Sequence, residues 1–234
     1  MTSTSTKPTV VLVHGAWGDG SSWQKVIPFL LKKGIAVVAV QNPTSSLADD
    51  AAATRRIMNT IEGPIVLVGH SWGGAVITEA GNDPKVKALV YVAAFAPKEG
   101  ESVGEQVGRH AAPPALSQIR NDGAGYLTLS EEGWATAVAQ DLSKEEAQVL
   151  SVLQAPLSIS TFNDKASEAA WQSRPSWYIV STEDHAVSVD LQRELAAMMG
   201  AKTTELVASH MSPLSKPEAV SAVILEAVAA VEAS

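Results

Sequence analysis

Several stretches of the chain are apolar at nearly every position, and the segments between them repeat apolar residues at helical spacing. Residues 9–13 (TVVLV), 35–40 (IAVVAV), 65–69 (IVLVG) and 86–95 (VKALVYVAAF) are such runs, rich in β-branched residues. Runs without polar alternation predict strands buried on both faces, as in a parallel sheet. Between the first two, Trp23, Val26, Ile27 and Leu30 share one face of a helix expected over 23–31 and closed by Gly34. Ser46, with Asp49 three residues on, predicts an N-cap pair opening a helix to about 61. A third helix is expected over 72–80, stopped near Gly81. This β-α alternation predicts an α/β fold, a mostly parallel central sheet with helices on both faces.

The rhythm breaks at Pro97. Residues 97–174 hold PKEGES, HAAPPA and NDGAG, with helical spacing only near 131–139 and 144–154 and no strong buried-strand signal. A mainly helical cap inserted after the fourth strand is expected there. The sheet resumes at 175–181 (PSWYIVS), followed by a helix over 190–199, a last strand over 203–209 and a final amphipathic helix over 216–231. The expected division is thus a core of residues 1–96 and 175–234 with 97–174 as the inserted cap.

Composition narrows the function. The chain has 234 residues, 46% of them hydrophobic, which suffices for one sizeable core. The formal net charge is -8, and Lys32–Lys33 and Arg55–Arg56 are its adjacent basic pairs. No basic stripe is available to neutralise a run of phosphates, so nucleic acid is not an expected partner. With no cysteine in the chain, disulfides and thiolate catalysis are excluded. The opening residues 1–8 read as a frayed tail without a basic signal region, and 10–13 is too short to span a membrane. A cytoplasmic protein, monomer or homodimer, is the expectation.

Chemistry enters at LVGHSWGG, residues 67–74. Gly69-His70-Ser71-Trp72-Gly73 matches G-x-S-x-G, and it lies between a predicted buried strand and a predicted helix. A nucleophile elbow needs that setting, in which the serine is presented on a strained turn above the sheet edge. The competing reading is a serine that merely caps the helix.

A serine hydroxyl needs a base, and the base needs a carboxylate to fix its tautomer. Among the histidines, His14 in the first loop reads as structural, His70 is expected to point away from Ser71, His110 reads as exposed in the cap, and His185 sits on a loop. His210 follows the last strand, at the carboxyl edge that also carries Ser71, and is the expected base. The loop after strand 175–181 offers Glu183 and Asp184. Asp184 is preferred as the acid and Glu183 held in reserve. Asp190 reads as a helix-dipole residue, and Asp141 and Asp164 are expected in the cap, away from the edge. The order Ser…Asp…His is that of α/β-hydrolases. Backbone N–H groups of Ala16, in the glycine-rich loop after the first strand, and Trp72 are the expected oxyanion-hole donors.

At this point the chain resembles bacterial α/β-hydrolases of the carboxylesterase type, related to plant methylesterases and hydroxynitrile lyases. VLVHGAWGDGSSW, GPIVLVGHSWGGAVITEA, VKALVYVAAFAPKEGES, WYIVSTEDHAVSVDLQREL and SHMSPLSKPEAV carry the resemblance. It implies the α/β-hydrolase fold, Ser71 as nucleophile, Asp184 and His210 as its partners, Ala16 and Trp72 as oxyanion donors, and no metal or cofactor. Two departures bear on the lyase activity of the plant relatives. Their lysine after the catalytic histidine is Met211 here, and their first-loop threonine is absent from His14-Gly15-Ala16. The arginine that often follows the acid in the bacterial relatives is His185.

The expected activity is hydrolysis of small to medium apolar carboxylic esters through an acyl-enzyme. Trp17, Phe95, Trp134, Phe162 and Trp171 are the candidate substrate-binding aromatics. Carbon–carbon hydrolysis, lactone hydrolysis and amide hydrolysis use the same triad, and a substrate panel separates them. A small-molecule receptor on a hydrolase fold is the alternative from another class, distinguished by slow turnover with tight retention.

Overall fold

A computed structural model describes residues 7–233; of the predicted tail over 1–8, residues 1–6 lie outside the described residues. The strands are β1 (Thr9–Val13), β2 (Val37–Val40), β3 (Ile65–His70), β4 (Val86–Val92), β5 (Ile119–Asn121), β6 (Tyr126–Leu129), β7 (Leu157–Ser158), β8 (Ser176–Ser181) and β9 (Lys202–Leu206). The helices are α1 (Ile27–Lys32), α2 (Leu47–Asn59), α3 (Trp72–Ala80), α4 (Val103–Val107), α5 (Glu131–Gly133), α6 (Lys144–Leu153), α7 (Val189–Met198), α8 (Ser212–Ser215) and α9 (Pro217–Glu232).

A six-stranded sheet has the order β2-β1-β3-β4-β8-β9, and all its pairings are parallel. The absence of alternation in β1, β3 and β4 follows from burial on both faces. Val11, Val13, Ile65, Leu67, Leu89 and Tyr91 pack on one side with residues of α2, α3 and α7. Val10, Leu12, Val66, Val68, Ala88 and Val90 pack on the other, against α9 and the segment around α1. The edge strands are less covered. β2 is mostly half-buried and β9 largely exposed, and β9 ends at Leu206 rather than 209.

Chain order runs β1 to β2 on one side, then returns to β3 on the other side of β1. The carboxyl ends of β1 and β3 therefore flank a topological switch point, where α/β sheets open a crevice. Val13 lies opposite Gly69 in the register of this pair. The loop after β1 and the turn after β3 are thereby brought together.

Local differences from the sequence reading have local causes. A 3-10 turn over Gly20–Trp23, capped by Asp19, ends where the predicted helix was to begin, and α1 starts only at Ile27 with Pro28 in its first turn. Strand β4 ends at Val92 because Ala93 takes a φ of 45°. Ser46 caps α2 as read, accepting from Asp49 N–H.

Most of the regular structure in the 97–174 segment is helical, as read, but not all of it. It contains an antiparallel sheet of order β5-β6-β7 besides its short helices. NDGAG is the hairpin turn between β5 and β6, with Asp122 Oδ1 accepting from Ala124 and Tyr126 N–H and Gly123 and Gly125 at positive φ. Strands of three and four residues are too short to produce an apolar run. The stretch read as a helix over 131–139 is the single turn of α5 followed by a π-helical turn over Trp134–Val138. This segment lies over the carboxyl edge of the main sheet. Ala115 N–H donates to His185 O at 3.0 Å, and Met211 N–H to Val138 O at 3.2 Å.

Candidate active site

Ser71 has φ 54° and ψ −122°, a conformation that L residues rarely adopt. Strand pairing holds it there: Ser71 N–H donates to Val92 O, and Phe95 N–H donates to Ser71 O. The flanking glycines are required by contact. A Cβ on Gly69 would stand 2.5 Å from Gly73 O, and one on Gly73 would stand 2.5 Å from Val13 O. Gly15 packs against the serine itself, with its virtual Cβ 2.8 Å from Ser71 Cβ. Helix α3 starts at Trp72, whose N–H is one of those a helix leaves without an intrahelical partner.

Two further strand ends, those of β8 and β9, contribute the acid and the histidine. The β8–β9 pairing continues past the strands, with Thr182 N–H donating to Leu206 O and Glu183 N–H to Ala208 O. This sets the two following loops side by side. Asp184 Oδ2 lies 2.7 Å from His210 Nδ1. Its other acceptor positions are also filled, with Ala186 and Val187 N–H donating to Oδ1 and Gln192 Nε2 to Oδ2 at 2.7, 2.9 and 2.9 Å. Asp184 is buried and Glu183 exposed. Ser71 and His210 line the same cavity. Among the described residues no hydrogen bond joins Ser71 Oγ to the His210 ring, a contact that in unliganded sites commonly tightens only around substrate.

His70 has a task of its own. Its Nε2–H donates to His210 O at 2.8 Å, with the two rings 4.6 Å apart. Burial, followed by repulsion from His210, holds its pKa well below 6.5, so the ring is a neutral prop. His14 is structural: its Nδ1–H donates to Gly15 O, and its Nε2 accepts from Asn42 N–H. Burial lowers its pKa too. His185 is exposed. His110 is half-buried and paired with Glu194 at 2.7 Å rather than simply exposed.

One carboxylate, Asp141, lies elsewhere than expected, and a second, Asp164, has a partner outside its own segment. Asp141 reaches the sheet edge, where its carboxylate accepts from both Ser209 N–H, at 2.9 Å, and Ser209 Oγ–H. It ties the 97–174 segment to the residue before His210. Asp164 accepts from Leu47 N–H at 2.8 Å, at the start of α2. Spacing placed both in the inserted segment, but only the folded path shows where that segment returns.

Asp50, which carries no motif, is fully buried on α2. It accepts from Trp72 Nε1–H at 2.7 Å and Thr44 N–H at 2.8 Å. Burial pushes its carboxyl up from 3.8 to about 6, against the pull of these hydrogen bonds. Gln192 was equally illegible. It is wholly buried and donates to Asp184 while its Oε1 accepts from Ser181 N–H.

Ala16, Trp17, Trp72, Phe95 and Phe162 line the cavity with Ser71 and His210. No Asp, Glu, Lys or Arg is in that lining. Trp134 belongs to a second cavity, which shares Ala16, Trp17, Ser71 and His210 with the first. Trp171 lines neither. Its indole N–H donates to Pro97 O at 3.0 Å, fixing the start of the inserted segment. Among the described residues no group of His, Cys, Asp and Glu is arranged to hold a metal ion, and no helix is long and apolar enough to cross a membrane.

A parallel sheet with a strained serine between β3 and α3, and an Asp–His pair on the loops after β8 and β9, defines the architecture of an α/β-hydrolase. Residues 10–223 match the Alpha/beta hydrolase family, and the chain belongs to that family. Relatives include the probable hydrolase R7 of a Phoma species, 27% identical, with 94% of this chain and 98% of that protein covered. Methylesterase 2 of Arabidopsis thaliana is 28% identical, covering 82% of this chain and 84% of that protein. Among solved structures, a pyrethroid hydrolase from Sphingobium faniae shares the fold with a TM-score of 0.84 at 23% identity, covering 96% of this chain and 98% of the other.

Proposed function

We propose that the protein hydrolyses carboxylic esters through an acyl-enzyme on Ser71, with His210 as general base and Asp184 as its partner. The observation that carries this reading is the His210 Nδ1–Asp184 Oδ2 contact of 2.7 Å on the edge that presents Ser71. With Nδ1–H donated to the carboxylate, Nε2 is left as an acceptor, the tautomer a general base requires. His210 Nε2 takes the Ser71 proton as Oγ bonds to the ester carbonyl carbon. The carbonyl oxygen becomes an oxyanion, held by the Ala16 and Trp72 N–H groups, each worth about 3–4 kcal/mol in such sites. Collapse breaks the bond to the alkoxide, which leaves with the proton from His210. Water then loses a proton to His210 and attacks the acyl carbon, and Ser71 leaves with that proton restored.

The family resemblance and the esterases among the relatives support ester hydrolysis. The uncharged walls of the first cavity support a small to medium apolar ester as substrate. Residue 211 argues against cyanohydrin lyase activity: Met211 is buried and brings no cation to stabilise cyanide. The test is fluorophosphonate labelling with peptide mapping, alongside a p-nitrophenyl ester panel on wild type and Ser71→Ala. Labelling of Ser71 and loss of turnover in the variant are expected; a fully active Ser71→Ala protein overturns the reading. Adding amide, lactone and β-diketone substrates to the panel separates the other chemistries of this triad.

A further inference from the structure

The cavities differ in how they end. The first is lined by Val103, Val107, Ala115, Leu116 and Phe162 on the side of the inserted segment. The second starts from the same Ser71 and His210, passes Trp134, Val138 and Met211, and reaches Ser21, Leu150 and Leu153. A surface groove begins at those same three residues and continues over Gln24, Val149 and Leu214. Site, second cavity and groove thus adjoin through shared wall residues and line up as a path along α6.

Helix α6 is unusual where it borders this path. Val149, Val152 and Leu153 are 56%, 79% and 58% exposed, a cluster of apolar side chains on one helix. Only Ala147 of the helix is buried. Scattered exposed apolar residues need no explanation, but a cluster beside a cavity mouth marks a contact surface. The ionisable residues along the path are Asp19, Lys25, Glu145 and Glu146, besides the histidines of the site. Lys25 is committed to Glu146, with Nζ and Oε1 2.5 Å apart. Nothing there is left to hold an anionic group.

We propose that this path takes the long, neutral, apolar arm of an ester whose compact arm fills the first cavity. The inference rests on the ester-hydrolase reading and names its substrate class: esters with one short arm and one extended alkyl or aryl-alkyl arm.

The test uses two series, n-alkyl acetates and methyl n-alkanoates, with the variable arm running from about two to about twelve carbons. In one series kcat/KM should rise by up to about fourfold per added methylene, the value for a fully buried methylene, until the chain leaves α6. In the other it should level off at a shorter chain length, where the first cavity ends. Leu153→Asp and Val149→Asp, both at exposed positions that tolerate a charge, should each lower the long-to-short kcat/KM ratio at least tenfold, with thermal melting confirming the fold. Short esters turned over with no chain-length gain in either series, or a ratio unchanged in both variants, overturns the groove alone. No Ser71-dependent turnover in either series overturns the ester reading beneath it.

Discussion

Asp50 allows a sharp test, because its environment pulls in two directions. Burial disfavours its charge, while Trp72 Nε1–H and Thr44 N–H favour it. The neighbouring Asp49 carboxylate adds to the burial effect. The outcome is a rise from 3.8 to about 6, equivalent to about 3 kcal/mol at 1.36 kcal/mol per pKa unit. Between those values the native state holds a proton that the unfolded chain has lost, so stability must fall as pH rises. The Asp50 contribution is fully present below about pH 4 and lost above about pH 6. Asp50→Asn removes this titration. The variant also turns an NH2 group toward a buried donor, at a cost of about 1–3 kcal/mol that does not vary with pH. Urea unfolding of both proteins from about pH 4 to pH 8 measures the difference. Titrations of groups that do not interact with Asp50 are common to the two and cancel. Wild type should lose about 2.5 kcal/mol relative to the variant across that range, the remainder of the full effect falling below pH 4. A difference that is flat, or that grows with pH, refutes the argument and shows the hydrogen bonds outweighing burial.

Asp184→Asn should lower kcat by about 10⁴, the scale seen when the wrong histidine tautomer is imposed, whereas Glu183→Gln, at an exposed position, should stay within about twofold in the same p-nitrophenyl assay. Gly73→Ala forces a Cβ to within 2.5 Å of Val13 O, a backbone atom that cannot swing away. Overpacking of that kind costs about 1–3 kcal/mol, so scanning calorimetry should show Tm reduced by about 3–10 °C. Gln192→Leu leaves Ser181 N–H without its acceptor and removes one donor from Asp184. It should destabilise by about 1–3 kcal/mol in urea melts and lower kcat more than it raises KM.

The parallel direction of the main sheet, and the placing of Ser71, Asp184 and His210 on its carboxyl edge, were legible in the sequence; the strand order β2-β1-β3-β4-β8-β9 was not. A buried parallel strand writes itself as an unbroken apolar run, and a parallel sheet puts every strand's carboxyl end on one side. The elbow was legible because its turn admits only glycine where Gly69 meets Gly73 O and Gly73 meets Val13 O. Where signals are short they fail: β5 to β7 left no run to read, and Trp171 looked like its aromatic neighbours until its indole was found on Pro97 O. Tertiary structure alone decided the rest. Asp141 reaches Ser209 across 68 residues, Asp164 reaches Leu47 across 117, and His70 reaches His210 across 140. Such pairings obey no periodicity, since each is made by side chains that become neighbours only after strands far apart in sequence have docked. For the same reason the path along α6 is visible only in the fold: its walls come from the first loop, the inserted segment and the turn after β9.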